Sequence, residues 1–326
     1  MREALFIKQN SERWKQYETL QTPDPDELAK RFISLTDDLA YAKTFYPQSK
    51  TTAYLNGLTA RLHQSIYKNK KEKSNRFILF WKLELPLLFK QYEKQLLYSF
   101  MFTVVFTLMG ALSAKYDNNF VRLILGEGYV NMTNANIAKG DPFGVYKEQN
   151  EFSMFFMIAA NNIFVSFQCF ISGVFFSLGT VYFLVRNGLM LGSFEYYFFG
   201  KGLGLQSILV IFIHGTLEIS ALIIAGGAGL VLGNSILFPK TYTRMESFKR
   251  GAKDGTKLVI GLVPVFITAA FFEGFVTRHT EMPAWLSLMI LFLSLIFIVV
   301  YVIIYPNYLY RKNLNLTLNA TKNRIS

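Results

Sequence analysis

The sequence predicts an all-α, polytopic helical membrane protein of about six passes with a helical cytoplasmic N-terminal region. Three observations predict it. The 326 residues are 52% hydrophobic and 17% charged, well below the roughly 25% charge of soluble chains. The apolar residues are gathered into long uncharged blocks. The basic residues are gathered into the segments between some of those blocks and are sparse in the others. A single cysteine, Cys169, excludes a disulfide framework and any multi-cysteine zinc site. The net charge of +12 meets no recognition motif, so nucleic acid is not an expected partner.

Residues 1–94 read as a cytoplasmic helical region that ends in an interfacial helix. They hold 17 Lys/Arg and 11 Asp/Glu, with no run long enough to span. Thr22-Pro-Asp-Pro-Asp-Glu stops one helix and starts another, since proline ends elements and acids suit a first turn. Pro47 and Gly57 mark later breaks, giving three or four helices, the first carrying Phe6, Trp14 and Tyr17. The basic run at 68–76 is a solvated loop or a contact for anionic lipid. Phe77 to Phe89 is apolar but too short to span; it reads as an interfacial helix or as a core helix of the cytoplasmic region.

Residues 95–310 read as the transmembrane helical bundle. Gln95 to Ala114 is uncharged over 20 residues, matching a hydrocarbon core of about 30 Å. Further blocks run over 152–185, 205–238, 258–276 and 284–305, and each must be helical because lipid offers the backbone no partner. The block 188–200 is shorter and carries Glu195, so the third pass is expected to be short or re-entrant. The N-terminus lacks a cleavable signal pattern, which makes the first span an uncleaved signal anchor. Lys/Arg counts place both termini and the 239–257 loop in the cytoplasm and the 115–151 loop outside. The basic tail, 311–326, is then cytoplasmic, and the expected location is a bacterial cytoplasmic membrane.

Polar residues inside the blocks are the candidate site. His214 and Glu218 are four apart and share a helix face, continued by Ala221, Ala225, Gly229 and Gly233. Small residues let helices approach closely, and Asn162, Ser166, Cys169, Gly173, Ser177 and Thr180 offer a matching stripe. By depth, Asn161, Asn162, His214, Glu218 and Glu273 all belong to the outer half. Ionisable groups there are costly unless paired and commonly mark pathways. Two readings stand side by side: a packing lock, and a site for an ion or small polar substrate. Arg186, Asn187 and Glu195 form a candidate inner gate, with Asn187-Gly188 read alternatively as a helix-ending turn. Glu195 is expected to pair with Arg186 or Lys201.

His214 and Glu218 have acceptable metal-ligand spacing, and Glu273 offers a third ligand. The segment is not HExxH, and His63 and His279 fall on opposite sides of the membrane, so no metal and no cofactor is expected. Cys169 is a packing residue rather than a nucleophile. No catalytic set is visible, and the chain is not read as an enzyme; an intramembrane metallohydrolase is the least favoured reading.

These residues carry a resemblance. Asn161-Asn162, NGLMLG at 187–192, HGTLE at 214–218 followed by Ile219-Ser220-Ala221, and AGGAGLVLGN at 225–234 resemble the stage II sporulation protein M family of multipass membrane proteins. The resemblance covers roughly 95–310. It implies work beside envelope proteins, as family members in spore formers act beside peptidoglycan-degrading proteins. The expected function is therefore a multipass protein acting through unidentified envelope protein partners in envelope or cell-wall remodelling. The alternative is a transporter or channel with an intramembrane polar site. The expected partners are the lipid bilayer, those envelope proteins and a second copy in a homodimer. The dimer is read from small-residue surface at Gly226, Gly227 and Gly233 that one bundle does not obviously need.

Overall fold

The computed structural model describes residues 2–19, 24–67, 76–146, 150–278 and 282–312. The basic run at 68–75, residues 20–23, 147–149 and 279–281, and the tail from 313 lie outside the described residues. Among the described residues there is helix and no strand. Two compact units divide at Arg76/Phe77.

The first unit holds α1 (Glu3–Thr19), α2 (Pro25–Phe45) and α3 (Lys50–Tyr67). Asp24 caps α2 by accepting from Asp26 N, with Pro25 at the first turn, where its missing N–H costs nothing. Phe6, Trp14, Leu35, Leu39, Ala42, Leu55 and Leu58 form its buried core. Trp14 is seated by its Nε1 donating to Asp38 Oδ2 at 2.8 Å, and Arg13 donates to the same carboxylate at 2.6 Å. Each of the leucine and phenylalanine side chains contributes on the order of 1.5–3 kcal/mol by leaving water.

The second unit begins earlier than the expected boundary at residue 94. Its first elements are α4 (Arg76–Leu79), a π-helical turn over Phe80–Glu84 and α5 (Leu85–Gln91). Leu85, Leu88 and Phe89 are buried in the core of the bundle, Tyr301 Oη donates to Trp81 O at 2.7 Å, and Lys257 pairs with Glu84. These contacts are why residues 77–94 belong with the bundle rather than with the N-terminal helices.

The long helices follow: α6 (Glu93–Tyr116), α9 (Glu151–Ile171), α10 (Leu178–Gly200), α11 (Gly204–Leu237), α12 (Arg244–Phe271) and α13 (Ala284–Val299). Between α6 and α9 lie the shorter α7 (Asn118–Leu125) and α8 (Glu127–Ala138). Among the described residues, five helices are long and apolar enough to cross a membrane: 93–116, 151–174, 204–237, 244–277 and 284–312. The chain is thus a polytopic, all-helical membrane protein. The sixth long helix, α10, has 23 residues, or about 34 Å at 1.5 Å per residue, and lies against α6.

Helix α10 differs from the expected third block in its bounds, starting at Leu178 rather than near residue 188. The break falls at 175–177, where Phe176 and Ser177 have φ of 51° and 69°, not at Asn187-Gly188. That dipeptide is mid-helix. Gly188 and Gly192 let α10 touch α6: a Cβ at Gly192 would meet Thr107 O at 1.9 Å. The 115–151 segment is likewise largely helical. Val121, Val130 and Phe143 close over Tyr197, Phe198, Val210 and Ile211 at one end of α10 and α11.

The two small-residue stripes do meet. A Cβ on Gly173 would lie 2.1 Å from Gly229 O, and one on Gly233 would lie 2.1 Å from Ser177 Oγ. Thr180 Oγ1 donates to Cys169 O at 2.8 Å across the hairpin. Gly226 and Gly227 face Leu184, Ser99 and Leu96, so the glycines that suggested a dimer surface are consumed within the chain.

Candidate functional site

Helix α11 places His214 and Glu218 one turn apart on its inward side. His214 is 4% exposed. The third acid arrives from the end of α12, where the helix widens into a π-helical stretch, Phe272–Thr277. Such stretches are rare and concentrate at functional sites. This one carries Glu273 and Thr277, and both reach His214. Thr277 Oγ1 lies 2.9 Å from His214 Nδ1, and Glu273 Oε2 lies 3.9 Å from His214 Nε2. One ligand atom from each of His214, Glu218 and Glu273 lies within 4.8 Å of the others.

Helix α9 supplies the remaining wall. Asn150 caps its start by accepting from Phe152 N and Ser153 N, and its inward side brings Asn162, 9% exposed, against the Glu218 carboxyl. The amide nitrogen of Asn162 is buried and closes no full hydrogen bond. Nearby, Arg278 pairs with Glu151 at 3.1 Å, tying the end of the π-helical stretch to the start of α9. Phe275 packs against Phe152, Phe155 and Phe271.

The described residues give neither Glu218 nor Glu273 a lysine or arginine partner. Two carboxylates and an imidazole therefore stand close together inside the bundle, with Thr277 beside His214 and Asn162 beside Glu218. An uncompensated buried charge costs several kcal/mol, so the arrangement calls for a cation or for protons held between the groups.

Four of the five expected cluster residues converge. Asn161 does not: it is exposed on α9, and its only contact to the group is a 3.4 Å bond to Asn162 Oδ1. Arg186, Asn187 and Glu195, the expected inner gate, are not brought together. Arg186 is exposed, Asn187 donates to Phe183 O of its own helix at 2.8 Å, and Glu195 accepts from Ser207 at 3.3 Å. At 100° per residue, positions 186 and 195 lie on opposite sides of α10, about 13 Å apart along it. Glu195 consequently does not reach Arg186, and among the described residues its side chain is met by Ser207 rather than by Lys201. Thr277 was not among the expected residues, although its i, i+4 relation to Glu273 was visible.

Comparison with known families reports on both units. A model described as Stage II sporulation protein M matches residues 99–278, more than half of the chain and a span that contains the whole cluster. A second, a domain of unknown function (DUF8413), matches residues 4–68, the three-helix unit. No curated protein and no solved structure matches the chain.

Proposed function

Because the chain belongs to the stage II sporulation protein M family, we propose that it serves the cell envelope as a multipass membrane protein whose working part is the enclosed polar cluster of Asn162, His214, Glu218, Glu273 and Thr277. The cluster receives a cation or a small polar species within the bundle, in the manner of a transporter or channel site. The observation that carries this reading is the mismatch within the cluster. A packing lock satisfies its own donors and acceptors. Here two carboxylates face one imidazole, and the buried Asn162 amide nitrogen, beside Glu218, closes no full hydrogen bond. Lys/Arg placement supports cytoplasmic termini and a cluster in the outer half of the bilayer.

A second reading, action through envelope protein partners, draws on the N-terminal unit. Its three helices own a complete core and have no part in the cluster, yet Ile33 and Phe45 stand 61% and 57% exposed. Those two side chains suit a protein partner.

Replacing Glu218 by Gln tests the first reading, since glutamine keeps shape and hydrogen bonding while removing charge. The expected result is a variant that elutes as folded protein at the parent's yield and fails to restore envelope integrity to a deletion strain. Full restoration would overturn the cluster as the working part.

A further inference from the structure

The geometry points to a divalent first-row transition-metal ion held by His214, Glu218 and Glu273. This inference rests on reading the cluster as a site and names its occupant. One nitrogen and two carboxylate oxygens lie within 4.8 Å of one another. An ion centred among atoms at that outer separation sits about 2.8 Å from each, against about 2.0–2.2 Å for zinc bonds to nitrogen and oxygen. Rotations that draw each side chain inward by roughly 0.6–0.8 Å close the gap. The 3.9 Å separation between His214 Nε2 and Glu273 Oε2 is already near what two ligands of one ion require.

Charge and donor type agree with that geometry. A divalent ion balances two carboxylates with a neutral imidazole, leaving the enclosed site without net charge. Imidazole suits zinc, iron and nickel, while carboxylates alone suit magnesium and calcium, so the mixed set selects the first-row ions. Three protein ligands leave a coordination position for water or substrate.

The surroundings supply independent support. Metal-bound histidines bond through their second ring nitrogen to a neighbouring polar group, which fixes the ring. Thr277 Oγ1 does this at His214 Nδ1, 2.9 Å away, leaving Nε2 for the ion. Asn162, nine-tenths buried, has an amide nitrogen without a full partner beside Glu218. It is placed to hold a ligating carboxylate or a bound water. The HG-x-x-E segment thus works without a second histidine, because the π-helical end of α12 delivers the third ligand from a different helix.

The test uses the full chain in detergent, with any affinity tag removed. Metal content is measured as purified, and the protein is then stripped with chelator and titrated separately with Zn²⁺, Mn²⁺, Co²⁺ and Mg²⁺. The expected result is one ion per chain for a first-row metal, visible Co²⁺ absorption bands that saturate at that ratio, and no competition by Mg²⁺. Glu218→Gln and Glu273→Gln, each eluting as folded protein, should lose the bands. Folded parent protein that takes up none of the first-row ions overturns the proposal, as do bands unchanged in both variants. If no ion binds while Glu218→Gln still fails in the deletion strain, the ion is wrong and the working cluster stands. If an ion binds while Glu218→Gln restores the strain fully, the ion is structural and the functional reading falls.

Discussion

The three helices of residues 2–67 and the bundle of residues 77–312 fill their interiors with different kinds of residue. The first is closed by Phe6, Trp14 and five aliphatic side chains. The second also buries large side chains, such as Phe89, Phe198 and Phe266, but its helix crossings run through Gly173, Gly229 and Gly233, and Ser99, Thr103, Ser166 and Ser207 are buried elsewhere in it. The solvent explains the difference. Water drives large apolar groups together, whereas lipid is as apolar as leucine and gives helices no such drive. In lipid, association depends on close backbone approach and on polar contacts between helices. Ser99 Oγ, donating to Ile223 O at 2.6 Å, is one such contact. The bundle can therefore enclose His214, Glu218 and Glu273 among small residues, a position the N-terminal core has no means to offer.

The contrast can be broken at single positions. The largest effect is expected from Trp14→Ala, which empties the centre of the N-terminal core. It should cost about 3–5 kcal/mol, seen as faster hydrogen exchange across α1–α3 in the full chain with the bundle unchanged. Gly229→Ala should cost less, about 1–3 kcal/mol of overpacking. Its Cβ would meet Thr180 Oγ1 at 2.2 Å and Cys169 O at 2.8 Å. The thermal midpoint of the bundle in detergent should fall accordingly. Gly57→Ala sharpens the comparison from the other side. A Cβ there meets nothing within 4 Å, and alanine is the better helix former. The N-terminal unit should gain roughly 0.5–1 kcal/mol, measured by the same exchange experiment. A loss at Gly57 or indifference at Gly229 would mean that glycine plays one role throughout the chain.

The spans were legible because uncharged blocks of membrane length admit one structure. The meeting of the two small-residue stripes was legible for the same kind of reason, a periodicity that survives into packing. The α9–α10 break was not. Phe175, Phe176 and Ser177 include no proline or glycine, yet Phe176 and Ser177 adopt left-handed φ, with Ser177 set against Gly233 of α11. Asn187-Gly188, which does carry a turn signal, stays helical because Gly188 is needed against Phe106 and Thr103. The cluster was read from residue types and depth, which placed Glu273 with His214 and Glu218. Depth alone also admitted Asn161, since only the rotation of α9 separates it from Asn162. The gate residues failed for a related reason: Glu195 finds Ser207 on the following helix, a pairing that no spacing within α10 encodes.

The central claim is that the cluster is kept for what it binds rather than for what it holds together. Thermal unfolding of Glu218→Gln/Glu273→Gln in detergent with chelator present, so that no ion contributes, tests this most directly. Functional constellations are commonly destabilising, so removing two enclosed carboxylates should leave the midpoint equal to that of the parent or raise it. A fall of more than about 4 °C, corresponding to roughly 1 kcal/mol or more, would identify the cluster as a lock between α11 and the end of α12 and contradict the account.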